Sequence, residues 1–109
     1  MRPYGTKAAL SPARRHLLEL FQRLNFGRVE SLTLLDGEPL HDPPPRVVRE
    51  IKLGGENGPR PELGAGDFHL KSQVIELFEY FDQLGDGTIE AIEVKHGLPF
   101  RMIVAKDAR

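Results

Sequence analysis

Leu17, Leu20, Phe21 and Leu24 recur at i, i+3, i+4 and i+7, the spacing that lays one apolar stripe along an α-helix. Ser11 just upstream is a good N-cap. Pro12 falls at the first helical position, where a missing N–H costs nothing. Leu70, Val74, Leu77, Phe78 and Phe81 form a second stripe and predict a second helix with Asp67 as its N-cap. After each stripe a glycine (Gly27, Gly87) ends the helical period and a period near two begins. Val29, Leu32 and Leu34 do not alternate strictly, which predicts a bulge or a strand buried on both faces. Ile89, Ala91 and Glu93 alternate against Glu90, Ile92 and Val94 with a similar irregularity. Asp36-Gly37 and His96-Gly97 suit type I′ hairpin turns, which need positive φ. The first return strand is interrupted by Pro43-Pro44-Pro45 and resumes at Arg46. There Val47, Arg49, Ile51 and Leu53 share one face, with Val48, Glu50 and Lys52 on the other. The second return strand is expected over 98–106, with Phe100, Met102 and Val104 on one face.

Both halves therefore read as a helix followed by a hairpin. Leu17 to Leu24 match Val74 to Phe81 at an offset of 57, and Gly27 to Leu40 match Gly87 to Phe100 at an offset of 60. The change implies three extra residues near Asp82-Gln83-Leu84. The expected fold is α+β: two αββ repeats forming one antiparallel sheet of about four strands, with two helices on one face. One domain spans 1–109, with a first helix–hairpin unit at 11–53 and a second at 67–106. Between them, residues 54–66 hold five Gly and two Pro in thirteen positions, which reads as a long surface loop. A single hairpin is marginal in water, so the two units are expected to share a core.

The helix, Phe26-Gly27-Arg28-Val29-Glu30-Ser31-Leu32, the Asp36-Gly37 turn and Arg46-Val47-Val48-Arg49-Glu50-Ile51-Lys52-Leu53 together resemble a family of very short bacterial proteins of unknown function. The resemblance covers residues 17–53 and implies a helix-plus-hairpin shape with no activity attached. The triple proline departs from that pattern.

Composition narrows the chemistry. The chain has no cysteine, which excludes disulfides, a thiol nucleophile and a cysteine zinc cage. Lys and Arg number 15 against 16 Asp and Glu, a net charge of −1 that argues against a polycationic duplex binder. No apolar run approaches the roughly 18 residues of a membrane span, and no secretory signal is visible. A cytoplasmic, bacterial-type domain is the expectation. Charge is nevertheless uneven. Residues 1–28 carry six bases (Arg2, Lys7, Arg14, Arg15, Arg23, Arg28) and the single acid Glu19, whereas residues 61–109 carry nine acids and five bases.

Asp82, Asp86, Gly87, Ile89 and Glu93 fall at positions 1, 5, 6, 8 and 12 of a partial resemblance to an EF-hand calcium loop. Leu84 at position 3 supplies no side-chain oxygen, and a helix cap turning into a strand explains the same residues. The histidines, His16, His41, His69 and His96, show no helical metal spacing, although His41-Asp42 is a candidate base or ligand pair. No nucleophile elbow or P-loop is present, so no catalytic residue, cofactor or metal site is assigned. The Phe residues read as core.

The function expected from these features is a non-catalytic binding or protein-interaction module. Its partner is a protein or a second copy of the chain. The working surface is placed on the proline connector and the Gly-rich loop, with Arg46, Arg49, Asn57, Arg60 and Glu62 as partner-binding residues. Nucleic-acid binding through Arg46, Arg49, Lys52 and Arg60 is one alternative, and a degenerate calcium site is another. Charge complementarity between the halves is the preferred account of the asymmetry.

Overall fold

The structure, a computed structural model, describes residues 7–55 and 71–105. After a short 3-10 turn (Lys7–Ala9), helix α1 (Pro12–Leu24) starts where the Ser11 side chain accepts a hydrogen bond from the Arg14 N–H. It stops at Asn25, whose positive φ turns the chain out of the helix. Strands β1 (Gly27–Leu35), β2 (Glu38–Pro39) and β3 (Arg46–Arg49) follow. Helix α2 (Ser72–Leu84) then leads into β4 (Gly87–Lys95) and β5 (Leu98–Ile103). The sheet is antiparallel in the order β2-β1-β4-β5, with β3 pairing β1 along the edge that β2 also uses. Among the described residues no helix is long and apolar enough to cross a membrane.

Both helices pack against one face of this sheet. Leu17, Leu18 and Phe21 of α1 and Val74, Leu77, Phe78 and Phe81 of α2 meet Val29, Leu32 and Leu34 of β1 and Ile89, Ile92 and Val94 of β4 in one core. Two inward side chains separated by two residues, Val29 and Leu32, break the alternation of β1, and Ile89 and Ile92 break that of β4 at the matching place. The ladder runs from Glu30↔Ala91 to Leu32↔Ile89 in unchanged register, so neither strand gains a residue on the other. Ser31, at φ 57°, absorbs the irregularity on the β1 side.

Each element of the second half begins sixty residues after its counterpart: Ser72 after Pro12, Gly87 after Gly27, Leu98 after Glu38. The pairing is reciprocal, with Gly27 opposite Val94 and Gly87 opposite Leu34. The helix offset of 57 and the three-residue insertion are therefore corrected: sixty holds throughout. A slip of three residues keeps most apolar positions of an amphipathic helix in phase, so letter matching alone favours the wrong alignment.

The hairpin turn of each half docks on the helix end of the other. Gly37 N–H donates to Gly85 O at 2.7 Å, and Gly97 N–H donates to Asn25 O at 2.9 Å. Arg14, buried in α1, reinforces the first of these contacts. Its guanidinium donates to Gly37 O (2.8 Å) and Asp82 Oδ1 (2.6 Å) and lies 3.5 Å from Glu38. The Asp36 N–H also donates to Asp86 Oδ1.

Three expectations about strand and helix limits change. The first return strand ends at Arg49 because its partner β1 starts at Gly27, opposite Arg49, leaving Ile51 and Leu53 exposed with nothing to pair against. The second return strand ends at Ile103, and a register shift between Glu93 and Val94 takes Phe100 out of alternation. Met102 packs on the core, whereas Phe100 and Val104 are exposed. Helix α2 begins at Ser72 after Lys71, which makes no side-chain cap. The expected cap Asp67 and the stripe residue Leu70 lie outside the described residues.

Candidate functional site

The sheet face turned away from the helices carries charge where the other carries apolar residues. Alternation sends Arg28 and Glu30 outward from β1 on either side of buried Val29, and Glu93 and Lys95 outward from β4 on either side of buried Val94. Register then lines the side chains up across the strands. Val48, Arg28, Glu93 and Arg101 form one row on β3, β1, β4 and β5, and Arg46, Glu30, Ala91 and Ile103 form the next. A groove of about 610 Å3 opens over these rows, with Arg49, Glu50, Lys95 and Phe100 also on its walls.

Acids and bases alternate along the face. Arg28 Nε donates to Glu30 Oε2 at 2.5 Å, and Arg46 Nε lies 3.5 Å from the other carboxylate oxygen. Arg101 grips Glu93 with two bonds, 2.9 and 2.7 Å. The acids sit low and the bases stand over them. Glu30 and Glu93 side chains are 24% and 22% exposed, against 47% for Arg28, 75% for Arg46 and 62% for Arg101. Pairs this open contribute little to stability. They leave the arginine side chains more exposed than the carboxylates they pair with.

The hydrogen bond from Arg101 holds the Glu93 carboxyl below the usual carboxylate range against a smaller opposing effect of desolvation, helped by the charges of Arg101, Arg28 and Lys95. The hydrogen bond from Arg28 does the same for Glu30. A depressed carboxylate lends its stability above the ordinary value and loses it as pH falls through the lowered one. An NMR titration should therefore place the Glu93 midpoint below the ordinary glutamate range, and Arg101→Gln should raise it. A midpoint that ignores Arg101→Gln would contradict the pairing.

Phe100 stands at the rim, 46% exposed, with Lys95 Nζ 5.0 Å and the Arg101 guanidinium carbon 5.8 Å from its ring centre. The expectation that the Phe residues are core holds for Phe21, Phe78 and Phe81 and is corrected for Phe100. The shift in the β4–β5 register carries this ring out of the alternation that keeps Met102 on the core.

Of the partner-binding residues expected from sequence, Arg46 and Arg49 lie on this face or its wall. Asn57, Arg60 and Glu62 lie outside the described residues, as does most of the Gly-rich stretch. Arg28, Glu93, Lys95, Arg101 and Phe100 were not singled out as parts of one surface. The signal for Arg28, Glu93 and Lys95 is period two on the polar side of β1 and β4, whereas the consecutive Phe100 and Arg101 carry no such signal, and only strand order brings the strands together. The remaining candidates are placed elsewhere. His41 stacks on His16 with ring centres 4.1 Å apart, and its Nε2 is 3.0 Å from Ala13 O. Asp82 pairs with Arg14, Asp86 accepts from the Asp36 N–H, and Glu93 pairs with Arg101. The residues after Gly87 form strand β4 where an EF-hand has a helix. Among the described residues, no group of three or more His, Asp or Glu side chains is placed to hold a metal ion. In comparisons with known proteins, no family model, curated protein or solved structure matched the chain.

Proposed function

We propose that the protein is a non-catalytic binding module and that it works through the open face of its sheet. One observation carries this reading: a groove of about 610 Å3 lies on the sheet face away from the helices, lined by Arg28, Arg49 and Lys95 together with Glu30, Glu50 and Glu93. A concave, charge-patterned surface on a rigid scaffold is suited to holding a ligand. The strand edges are less suited. Two copies of β3 paired antiparallel about Val47 and Val48 would set Arg46 opposite Arg49, and like charges directly opposite destabilise a sheet. Pro99 removes an N–H from β5.

Amide chemical-shift mapping with three probes tests the reading. The probes are a mixed-sequence single-stranded oligonucleotide, a polyglutamate peptide and a polylysine peptide. At least one should shift the amides of β1, β4 and β5 around Arg28, Glu93 and Arg101. Shifts confined to the outer faces of α1 and α2, or none with any probe, would refute the open face as the working surface.

A further inference from the structure

We infer that the ligand of the open face is single-stranded nucleic acid, an assignment that rests on the binding reading above and adds the class of partner to it. Three features on the one face lead there. Arg46 on β3, Arg28 on β1, Lys95 on β4 and Arg101 on β5 present one cation from each of four neighbouring strands. At the usual strand spacing they cover about 14 Å, a run that a short stretch of sugar-phosphate backbone can follow. The groove itself is lined by as many acids as bases, Glu30, Glu50 and Glu93 against Arg28, Arg49 and Lys95, but each of the three paired arginines is more exposed than its acid, so an approaching polyanion meets guanidinium groups first although the whole chain is at −1.

Phe100 is the second feature. The ring is half-exposed with the Lys95 ammonium and the Arg101 guanidinium over it; both sit on long flexible side chains that can swing onto phosphates and yield the π-face to an unpaired base. An acidic peptide would use the charges and leave the ring idle. Duplex DNA hides its base faces and could not use the ring either. Glu30 and Glu93 are the third feature. Held in place beneath the arginines, they remain hydrogen-bond acceptors, and exocyclic amines of splayed bases are donors of the matching kind.

The test is fluorescence anisotropy of the full chain with a labelled mixed-sequence single-stranded 12-mer, run beside the same sequence as a duplex. Binding to the single strand should weaken roughly tenfold or more between 50 and 200 mM salt, as release of counterions from about three phosphates requires. Phe100→Ala should weaken it roughly tenfold at fixed salt and Phe100→Tyr should restore it, because stacking needs the ring. Arg46→Gln with Arg101→Gln should flatten the salt dependence. Phe100 lies outside the core, and circular dichroism of each variant confirms the fold. Absence of binding at 50 mM salt, equal affinity for the duplex, or indifference to Phe100→Ala would overturn the assignment. If polyglutamate shifts the open-face amides while the oligonucleotide does not, the nucleic-acid assignment falls and the binding reading survives. If neither these nor polylysine shifts them, both fall.

Discussion

Phe81→Ala is expected to cost about 3–5 kcal/mol of unfolding free energy, the range for emptying a fully buried phenylalanine site. Phe81 has no solvent exposure and packs edge-to-face on Phe78, with ring centres 5.5 Å apart. It belongs to the core shared by both helices and both central strands, so no single element can relax into the space. Small domains have only about 5–15 kcal/mol in total, and the loss would move a large share of the chains to the unfolded state under mild urea. Tyr80→Ala, one position earlier on the exposed side of α2, should cost under about 1 kcal/mol. Urea titrations followed by circular dichroism measure both. Equal costs at the two positions would mean that the core is not centred where the structure puts it.

Gly27→Ala should be nearly as damaging, and Gly87→Ala is its control. The two glycines open equivalent strands at φ 148° and 151°, a backbone region that other residues occupy only under strain. That strain alone is worth about 1–3 kcal/mol at either site. The surroundings differ. A Cβ on Gly87 meets nothing within 4 Å, whereas one on Gly27 runs into the carbonyl oxygen of Val48 on β3. Backbone cannot step aside as a flexible side chain can. Gly27→Ala should therefore lose β3 as well, with the amides that bond β1 to β3 exchanging freely while those between β1 and β4 stay protected. Hydrogen exchange of the two variants separates strain from collision. Retention of β3 protection in Gly27→Ala would show that the two strands do not approach this closely.

The local grammar of the chain was legible because it depends on neighbours. Ser11 and Pro12 start α1 as their capping chemistry dictates. Asp36-Gly37 and His96-Gly97 turn with paired positive φ values, 52° and 77° in the first and 54° and 74° in the second. The helix stripe was legible in period but not in every member: Leu18 is buried and Leu20 only partly so, since the groove between helix and sheet selects the residues that face it. What depends on distant partners was hidden. Strand order decides that Arg28 stands beside Glu93, sixty-five positions on, and no local pattern announces it. Arg14 resembles a surface base in the sequence, yet the Gly37 carbonyl and Asp82 draw it into the interior. Phe100 has the apolar character of a core residue and is displaced by a one-step change of register.

The reciprocal docking of each turn on the opposite helix end has a consequence for biosynthesis. A ribosome releases α1 and its hairpin well before α2 and β4 exist, so Val29, Leu32 and Leu34 then have α1 against them but neither the α2 side chains nor the paired strand β4 that complete the core. That apolar surface therefore stays partly open until α2 and β4 have emerged. Folding is then gated by the meeting of strands whose first residues lie sixty positions apart, and chaperone protection counts most during that interval.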